Sequence, residues 1–332
     1  MSVQLPSFGM GCSALGNLYR PMSDGDAAAT VAAAVAAGVH YFDVAPHYGF
    51  GMAERRLGAA LKRADRSTVM LSTKVGRILS PTQATGVRHG FVDADPFEPV
   101  FDFTFEGVLA SYQSSLDRLG TARIELLLAH DLGKLTHGEA AEEYTQQFLK
   151  GGYRALCQLK AQSRIDLVGI GVNEIEICHR LLDEVALDVI LLAGRYTLLE
   201  QDALPLLDRC AQLGVRVIVG GPFNSGLLVE NPDSGPLHYD YGKAPARLVS
   251  RAASLRSICA AHSIPLPAAA LRFPLGHPAV ACVLPGFAAP AQVEQAVAWN
   301  ETSIPPALWS DLQHAQLLAP EAPYPGAQRK NT

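Results

Sequence analysis

Short apolar runs alternate with amphipathic helical stretches along nearly all of this 332-residue chain. The runs are rich in aliphatic and β-branched residues and span residues 8–11, 41–44, 68–72, 124–128, 167–170, 189–192, 215–219 and 280–284. Between them, helical periodicity is clearest over residues 26–37, 53–62, 105–119, 144–162, 176–184, 203–213 and 247–262. Near-continuous apolar strands that are each followed by a helix are typical of parallel strands buried on both faces.

This order of elements fits either a doubly wound open sheet or a closed barrel. About eight strand–helix units in roughly 300 residues favour the barrel. An open dinucleotide-binding sheet would also need a Gly-x-Gly-x-x-Gly turn after an early strand, and none stands there. We therefore predict an α/β fold, a (β/α)₈ TIM barrel, as one domain over residues 1–318. Residues 76–103, 130–143 and 222–245 are predicted to be barrel loops, and residues 319–332 a polar, poorly ordered tail.

Composition mainly restricts the partners of the protein. The net charge is −5 and no basic run stands out, which argues against a nucleic acid or an anionic membrane as partner. No apolar stretch approaches the ~20 residues of a membrane span, and residues 1–8 do not resemble a signal peptide. The six scattered cysteines favour reduced, buried thiols. We expect a cytoplasmic protein without a metal site, and no pattern indicates its oligomeric state.

Polar side chains close four successive predicted strands, the second to the fifth. They are Asp43, Lys74, His130 and Asn173, and Tyr48 follows Asp43 in the next loop. Each alone has an ordinary structural interpretation, such as a helix cap, a solvated lysine or a packed histidine. Because a barrel places its chemistry at the carboxyl ends of its strands, their coincidence predicts a single site at the barrel mouth.

Four of these residues form a plausible proton-transfer group. A free tyrosine has a pKa near 10, which is too high for a base at neutral pH. A neighbouring ammonium favours the phenolate, and a carboxylate keeps that ammonium charged and oriented. We therefore predict that Tyr48 is the general acid/base and that Lys74 lowers its pKa. Asp43 is expected to position Lys74, and His130 to hydrogen-bond the reacting oxygen.

These residues, in this order, resemble the aldo-keto reductase superfamily from about residue 8 to residue 318. The stretches that carry the resemblance are FDVAPHYG (42–49), STKVG (72–76), SLDRLG (115–120), LLAHD (127–131) and VLPG (283–286). The resemblance implies a catalytic tetrad of Asp43, Tyr48, Lys74 and His130. It also implies that Asn173 holds the nicotinamide carboxamide.

Two positions depart from the superfamily pattern. Val172 stands where a serine is usual, and Gly220 stands where many members carry a tyrosine that stacks on nicotinamide. Beyond the superfamily, residues 49–58, 169–174 and 220–226 resemble the bacterial D-threo-aldose (L-fucose) 1-dehydrogenase branch, and pyridoxal 4-dehydrogenase is closely similar.

The resemblance implies hydride transfer from the C1 carbon of an aldose to nicotinamide, which gives a lactone. L-Fucose, D-arabinose and L-galactose are the expected aldoses, and pyridoxal 4-dehydrogenase activity is the alternative. A nucleotide-binding regulatory subunit with little catalysis is an alternative of a different class, against which the complete tetrad argues.

The expected cofactor contacts follow the seventh and eighth strands. Small residues let a main chain approach phosphate closely, so a run of five residues is predicted to lie along the pyrophosphate, an ordinary polar turn being the alternative. This run is Phe223, Asn224, Ser225, Gly226 and Leu227. Superfamily members that prefer NADP usually carry cationic side chains after the eighth strand, whereas residues 285–295 contain no Lys or Arg. We therefore predict NAD rather than NADP, with contacts from Gly286, Gln292 and Gln295.

Substrate contacts are expected from three residues that adjoin the tetrad, namely His47, Arg77 and Asp131. Each also has a structural interpretation. A pyridoxal substrate would favour stacking, for which Phe50, Phe101 and Phe103 are available. The expected partner is thus a small sugar or pyridoxal. A catalytic metal is not expected, because no H-x-H pair ends a strand and Lys74 would repel a cation.

Overall fold

The computed structural model describes residues 3–229, 238–239 and 242–326. In chain order its strands are β1 (Met10–Gly11), β2 (Tyr41–Asp43), β3 (Met70–Val75), β4 (Arg77–Pro81), β5 (Phe97–Phe101), β6 (Leu126–His130), β7 (Leu167–Val172), β8 (Val189–Ala193), β9 (Arg216–Gly220), β10 (His238–Tyr239), β11 (Gly242–Lys243) and β12 (Val280–Leu284). One parallel sheet has the order β1-β2-β3-β6-β7-β8-β9-β12. Parallel bridges from Phe8 to Val283 and from Gly11 to Gly286 join its two ends. The predicted (β/α)₈ barrel is confirmed.

Helices cover the outside of the sheet. They are α1 (Asp24–Ala36), α2 (Met52–Leu61), α3 (Phe105–Leu119), α4 (Lys134–His137), α5 (Ala141–Gln147), α6 (Tyr153–Ala161), α7 (Ile175–Glu184), α8 (Leu204–Leu213), α9 (Ala246–Ala261), α10 (Leu266–Arg272), α11 (Pro290–Glu301) and α12 (Pro306–His314). Local sequence sets several boundaries. Ser23 and Thr104 cap α1 and α3 by accepting N–H bonds, and α3 ends at the left-handed Gly120.

The helix predicted over residues 144–162 differs from the observed one. It begins earlier, as α5, and reaches α6 through a π-helical turn, Phe148–Gly152. A Cβ atom on Gly152 would lie 2.5 Å from the main-chain oxygen of Phe103. The helix therefore passes very close to the backbone that precedes α3, which only a residue without a side chain permits.

Alternation along the strands separates the outer core from the barrel interior. Side chains of one parity fill the interior, and they include Tyr41, Leu126, Leu128, Val189, Leu191, Ile218, Cys282 and Leu284. Because side chains alternate, residues two positions farther along point to the same interior. Asp43 follows Tyr41 in this way, and His130 follows Leu128. Strand parity thus brings the polar groups together above an apolar floor.

The three stretches predicted to be loops contain regular structure. Residues 76–103 include the antiparallel pair β4–β5, residues 130–143 include α4, and residues 222–245 include the pair β10–β11. The prediction of a poorly ordered tail is wrong for residues 319–326. Ala322 is 2% exposed, and the ring of Tyr324 stacks on that of Trp309 with centroids 6.0 Å apart. Residues 327–332 lie outside the described residues. Within the described part, no helix is both long and apolar enough to span a bilayer.

Candidate active site

The ammonium of Lys74 is the centre of the polar cluster at the mouth. Its Nζ donates to Asp43 Oδ2 at 2.7 Å, to the main-chain oxygen of Val44 at 3.0 Å and to the hydroxyl oxygen of Tyr48 at 3.1 Å. These bonds use all three ammonium protons. Burial alone lowers the pKa of Lys74, but the charges of Asp43 and then Tyr48 outweigh it, and the pKa lies above its ordinary value. Lys74 is therefore a fixed positive charge.

A chain of two buried hydroxyl groups fixes the carboxylate of Asp43. Ser72 Oγ donates to Asp43 Oδ1 at 2.6 Å, so the only proton of Ser72 is used. The hydroxyl of Tyr41, 2.8 Å from Ser72 Oγ, must then be the donor to it. Both side chains are fully buried. We had not singled them out, although their positions two residues before Asp43 and Lys74 place them on the same strand faces.

The backbone around Tyr48 is held by close main-chain packing. Gly49 has a φ of 63°, and a Cβ on it would lie 2.6 Å from the main-chain oxygen of Gly16. The carbonyl of Tyr48 accepts the N–H of Ala53 in α2 at 3.1 Å. Tyr48 is half-buried, so its hydroxyl meets Lys74 while part of the ring faces the cavity.

His130 lies across from Tyr48. Their ring centroids are 6.0 Å apart and the planes are nearly perpendicular, at 86°. Burial lowers the pKa of His130 well below its ordinary value, and the charges of Arg77 and Lys74 lower it further. His130 is therefore neutral at physiological pH. The structure brings together all four residues of the predicted tetrad.

A cavity of about 910 Å³ opens above this cluster. Its walls include Tyr48, Lys74 and His130, together with Asn173 and Gly286. Further lining residues are Leu18, Tyr19, His89, Phe91, Phe101, Leu135, Thr136, Leu191, Ala193, Arg195, Gly220 and Gly221. The wall that includes His130 combines aromatic rings with the charged pair Arg77 and Asp131, and glycines at 171, 220, 221 and 286 leave the main chain open elsewhere.

The three expected substrate contacts all line this cavity. His47 is largely buried, which lowers its pKa to about 2, and the charge of Arg77 contributes next. No residue in the described ranges hydrogen-bonds its Nδ1. Arg77 is only 5% exposed because it turns inward and pairs with Asp131 at 2.7 Å. Asp131 is the more accessible partner, with 22% of its side chain exposed.

Two of the three phenylalanines expected to stack on pyridoxal are wrongly assigned. Phe50 and Phe103 are fully buried and, among the described residues, are not part of the cavity wall. The ring of Phe103 lies under Gly76, where a Cβ would approach it to 2.0 Å. Phe101 lines the cavity as expected. Phe91, which we had not singled out, takes the second aromatic position.

The segment 223–227 forms a compact turn beside the cavity. Asn224, Ser225 and Gly226 have φ values of 46°, 56° and 99°. The N–H groups of Gly226 and Leu227 already donate within the segment, at 3.1 and 3.2 Å, and that of Asn224 donates to the main-chain oxygen of Gly221 at 3.1 Å. Asn224 and Leu227 are buried, and Phe223 packs edge-on against Trp299. Among the cavity-lining residues that the structure describes, none belongs to this segment. Ser225 is its exposed member.

The three cofactor contacts predicted after β12 do not all line the cavity. Gly286 lines the cavity, whereas Gln292 and Gln295 are exposed in the first half of α11, outside the described wall. Gln292 Oε1 accepts the N–H of Ala288 at 2.7 Å, so its carbonyl oxygen already stabilises the loop. Its amide NH₂ is the part suited to a ribose hydroxyl.

The cavity beside Asn173 fits a nicotinamide nucleotide. Gly220, Gly221 and Gly286 leave the main chain open to a flat ring, and the Asn173 side chain can both donate and accept hydrogen bonds. Arg195 Nε donates to the main-chain oxygen of Asn173 at 2.8 Å and adds a positive charge to this wall. Arg195 was missed, although it lies just beyond the end of β8, where strand-end side chains of a barrel meet the site.

A closed (β/α)₈ barrel with this cluster at its mouth defines an aldo-keto reductase fold and site. Residues 7–316 match the model of the aldo/keto reductase family, and the chain belongs to this family. It is therefore an oxidoreductase, in a family whose members use nicotinamide cofactors.

Two curated relatives and one solved structure show what the chain is similar to. It is 39% identical to a pyridoxal 4-dehydrogenase of Microbacterium luteolum over 328 residues, with 94% of each chain covered. It is 37% identical to a D-threo-aldose 1-dehydrogenase of a Pseudomonas species over 320 residues, with 95% of each covered. The aldo-keto reductase AKR11C1 of Bacillus halodurans, in its holo form, superimposes with a TM-score of 0.70 at 24% identity and 98% coverage of both chains. This structural likeness shows the fold alone.

Proposed function

We propose that this protein is an NAD-dependent aldose 1-dehydrogenase that oxidises the C1 hydroxyl of a sugar such as L-fucose, D-arabinose or L-galactose to the lactone. The observation that carries the proposal is the ammonium of Lys74, which bonds to both Asp43 and the Tyr48 hydroxyl in one cavity. That arrangement suits a tyrosine that exchanges a proton with an alcohol. The aldose relative supplies the substrate class.

The proton of the C1 hydroxyl passes to Tyr48. The fixed charge of Lys74 stabilises the phenolate that accepts it, because the ammonium lies 3.1 Å from the phenolic oxygen. Asp43 holds Lys74 in that position. The three bonds of Lys74 also prevent it from donating its own proton to the substrate without breaking the cluster.

His130 contacts the same oxygen of the substrate. A neutral imidazole donates one hydrogen bond, which supports the carbonyl oxygen as it forms without adding a charge. A nicotinamide held beside Asn173 would supply the two-electron acceptor for the hydride of C1. The substrate thus loses a hydride from carbon and a proton from oxygen, which balances its conversion to a lactone.

Four groups of residues are assigned to different parts of the cofactor. Asn173 is assigned to the nicotinamide carboxamide, and the main chain at Gly286 lies beside the ring. Ser225 and Gly226 are assigned to the pyrophosphate, as the reachable part of the turn over residues 223–227. Gln292 and Gln295 are assigned to the adenosine ribose. NAD is preferred because residues 285–295 offer no cation to a 2′-phosphate.

The part of the cavity around His130 receives the sugar. Asp131 and His47 bond ring hydroxyls, and Arg77 acts beside them as Asp131's partner. Phe91 and Phe101 cover an apolar sugar face. The same two rings would hold a flat pyridine, so pyridoxal oxidation is the second candidate, favoured by the relative at 39% identity.

The six unpaired cysteines fit a reducing compartment, for which we propose the cytoplasm.

A substrate panel tests this proposal. L-Fucose, D-arabinose, L-galactose and pyridoxal are each assayed with NAD and with NADP, and the sugar product is identified as lactone or aldonate by mass spectrometry. We expect one or more aldoses to be oxidised with a higher kcat/KM for NAD than for NADP. Oxidation of pyridoxal alone would establish the second candidate. An equal or higher kcat/KM with NADP would refute the cofactor assignment.

A further inference from the structure

Arg77 begins β4, only three residues after Lys74, and its side chain is buried beside His130. It is 5% exposed, and the guanidinium carbon lies 5.2 Å from the centre of the Phe101 ring. Its Nη2 donates to Asp131 Oδ2 at 2.7 Å. A buried guanidinium is costly unless it is paired, so Asp131 compensates the charge of Arg77. The pair is in place before any substrate binds.

The positions of these two charges select one tautomer of His130. Arg77 Nη1 lies 3.4 Å from Nδ1 of the ring, and a guanidinium has only donors, so Nδ1 must accept and carry no proton. On the other side of the ring, Asp131 Oδ2 lies 3.4 Å from Nε2. A carboxylate favours a proton on the nitrogen nearest to it. Both neighbours therefore favour the proton on Nε2.

The other groups around the ring oppose a second proton. Lys74 on β3 and Arg77 on β4 both carry positive charge. His47, whose ring centroid lies 6.1 Å away, is itself held neutral, and Tyr48 presents its ring edge-on. Asp131 is the carboxylate that would draw a second proton, but its charge is already engaged by Arg77.

We propose that Arg77 is a positioning residue that holds His130 neutral with its only proton on Nε2, the donor that a substrate oxygen requires. The proposal rests on the proposed function where it gives His130 contact with substrate. Without Arg77, the freed carboxylate of Asp131 would lie beside the ring and stabilise the imidazolium. The pKa of His130 would then rise, because the carboxylate would favour a second proton that burial of the ring still opposes.

Nitrogen-15 NMR of histidine-labelled protein tests the proposal directly, with the His130 signals assigned from the spectrum of a His130→Gln variant. In the wild type we expect one protonated and one unprotonated ring nitrogen, Nε2 and Nδ1, unchanged from pH 5.5 to 8. In Arg77→Met we expect the ring to begin to take up a second proton toward pH 5.5. We also expect kcat to fall about a hundredfold, the lower end of the range for losing a preorganised donor. Arg77→Lys, which keeps the charge, is expected to keep the ring neutral.

Arg88→Met is the matched control. Arg88 is also nearly buried, with 10% of its side chain exposed, pairs with Glu98 at 3.0 Å and lies 4.4 Å from the centre of a phenylalanine ring. It has no bond to His130 among its described contacts, so its loss is expected to leave the His130 signals unchanged.

A wild-type ring that is protonated on Nδ1, or charged at pH 7, would overturn the proposal without any variant. An Arg77→Met spectrum identical to that of the wild type would also overturn it. Because the NMR signals are read without substrate, failure of the substrate panel would refute the proposed function and leave this test intact.

Discussion

His47 precedes Tyr48 in the loop after β2 and packs against the rings of Phe50, His89, Phe91 and His130 at centroid distances of 5.3–6.1 Å. This environment is apolar on most sides, and the nearest strong charge, Arg77, is positive. Desolvation and repulsion therefore act together against a proton on His47, and its pKa falls to about 2. The residue next to the proposed base thus stays uncharged.

The low pKa of His47 predicts a specific loss of stability in acid. In the unfolded chain its pKa is about 6.5. Below that pH the unfolded state therefore binds a proton at His47 that the folded state does not bind. The contribution of neutral His47 to the free energy of unfolding is complete above pH 6.5 and is lost as the pH falls toward 2. At pH 5 the loss from this residue amounts to about 2 kcal/mol. Urea titrations measure the free energy of unfolding at pH 7.5 and at pH 5. Between these two values we expect it to fall by about 2 kcal/mol less in His47→Asn than in the wild type.

The control is His314→Asn, which removes an exposed histidine at the end of α12. It is expected to keep the pH dependence of the wild type. If His47→Asn loses as much stability in acid as the wild type does, His47 is not held neutral by the fold.

At the scale of elements, a buried ion pair fixes the strand that carries Lys74. Glu54 on α2 is fully buried; its Oε1 accepts from Thr73 on β3 at 2.7 Å and its Oε2 from Arg118 on α3 at 2.5 Å. Three elements therefore meet at one carboxylate. Thr73 points outward from β3 toward this carboxylate, and its neighbour Lys74 points inward to the site.

Removal of Glu54 is expected to destabilise the whole barrel. In Glu54→Ala, Arg118 and Thr73 lose their acceptor in a buried place, which costs about 3–5 kcal/mol of unfolding free energy. The comparison is Glu142→Ala, which breaks an exposed pair with Arg180 and is expected to leave the free energy of unfolding nearly unchanged. Urea denaturation measures both. Equal, small losses in the two variants would show that the buried pair does not hold these elements together.

The strands were predictable from sequence because each has a strong local signal. Apolar runs located all eight barrel strands within a few residues, and strand-end polarity predicted that Asp43, Lys74 and His130 lie in one cluster. The hairpin β4–β5 was not predictable in this way. Its strands are separated by a long loop, and β5 contains Pro99, which weakens a strand signal. That hairpin turns Arg77 inward and brings Phe101 to the cavity.

At the scale of the whole molecule, the site depends on closure of the barrel. The N–H of Gly11 donates to the main-chain oxygen of Pro285 at 2.8 Å, which joins the first and last strands beside the cavity. The cavity wall is therefore built from segments far apart in sequence, such as Asn173 and Gly286. Their approach could be inferred from the fold, but the contacts of Arg195 and the internal bonding of residues 223–227 depend on loop paths that no periodic pattern encodes.

The proposed oxidation depends on the phenol of Tyr48 acting as the proton acceptor. Tyr48→Phe removes one oxygen atom and leaves the bonds of Lys74 to Asp43 and Val44 available. The matched control is Tyr112→Phe, whose hydroxyl bonds to the main-chain oxygen of Arg164, away from the cavity.

The decisive measurement is turnover of the best aldose of the panel by Tyr48→Phe, together with NADH binding followed by fluorescence titration. We predict that kcat falls by about 10²–10⁴-fold while the Kd for NADH is unchanged, and that Tyr112→Phe retains both values. Turnover of Tyr48→Phe close to that of the wild type, with intact nucleotide binding, would contradict the account.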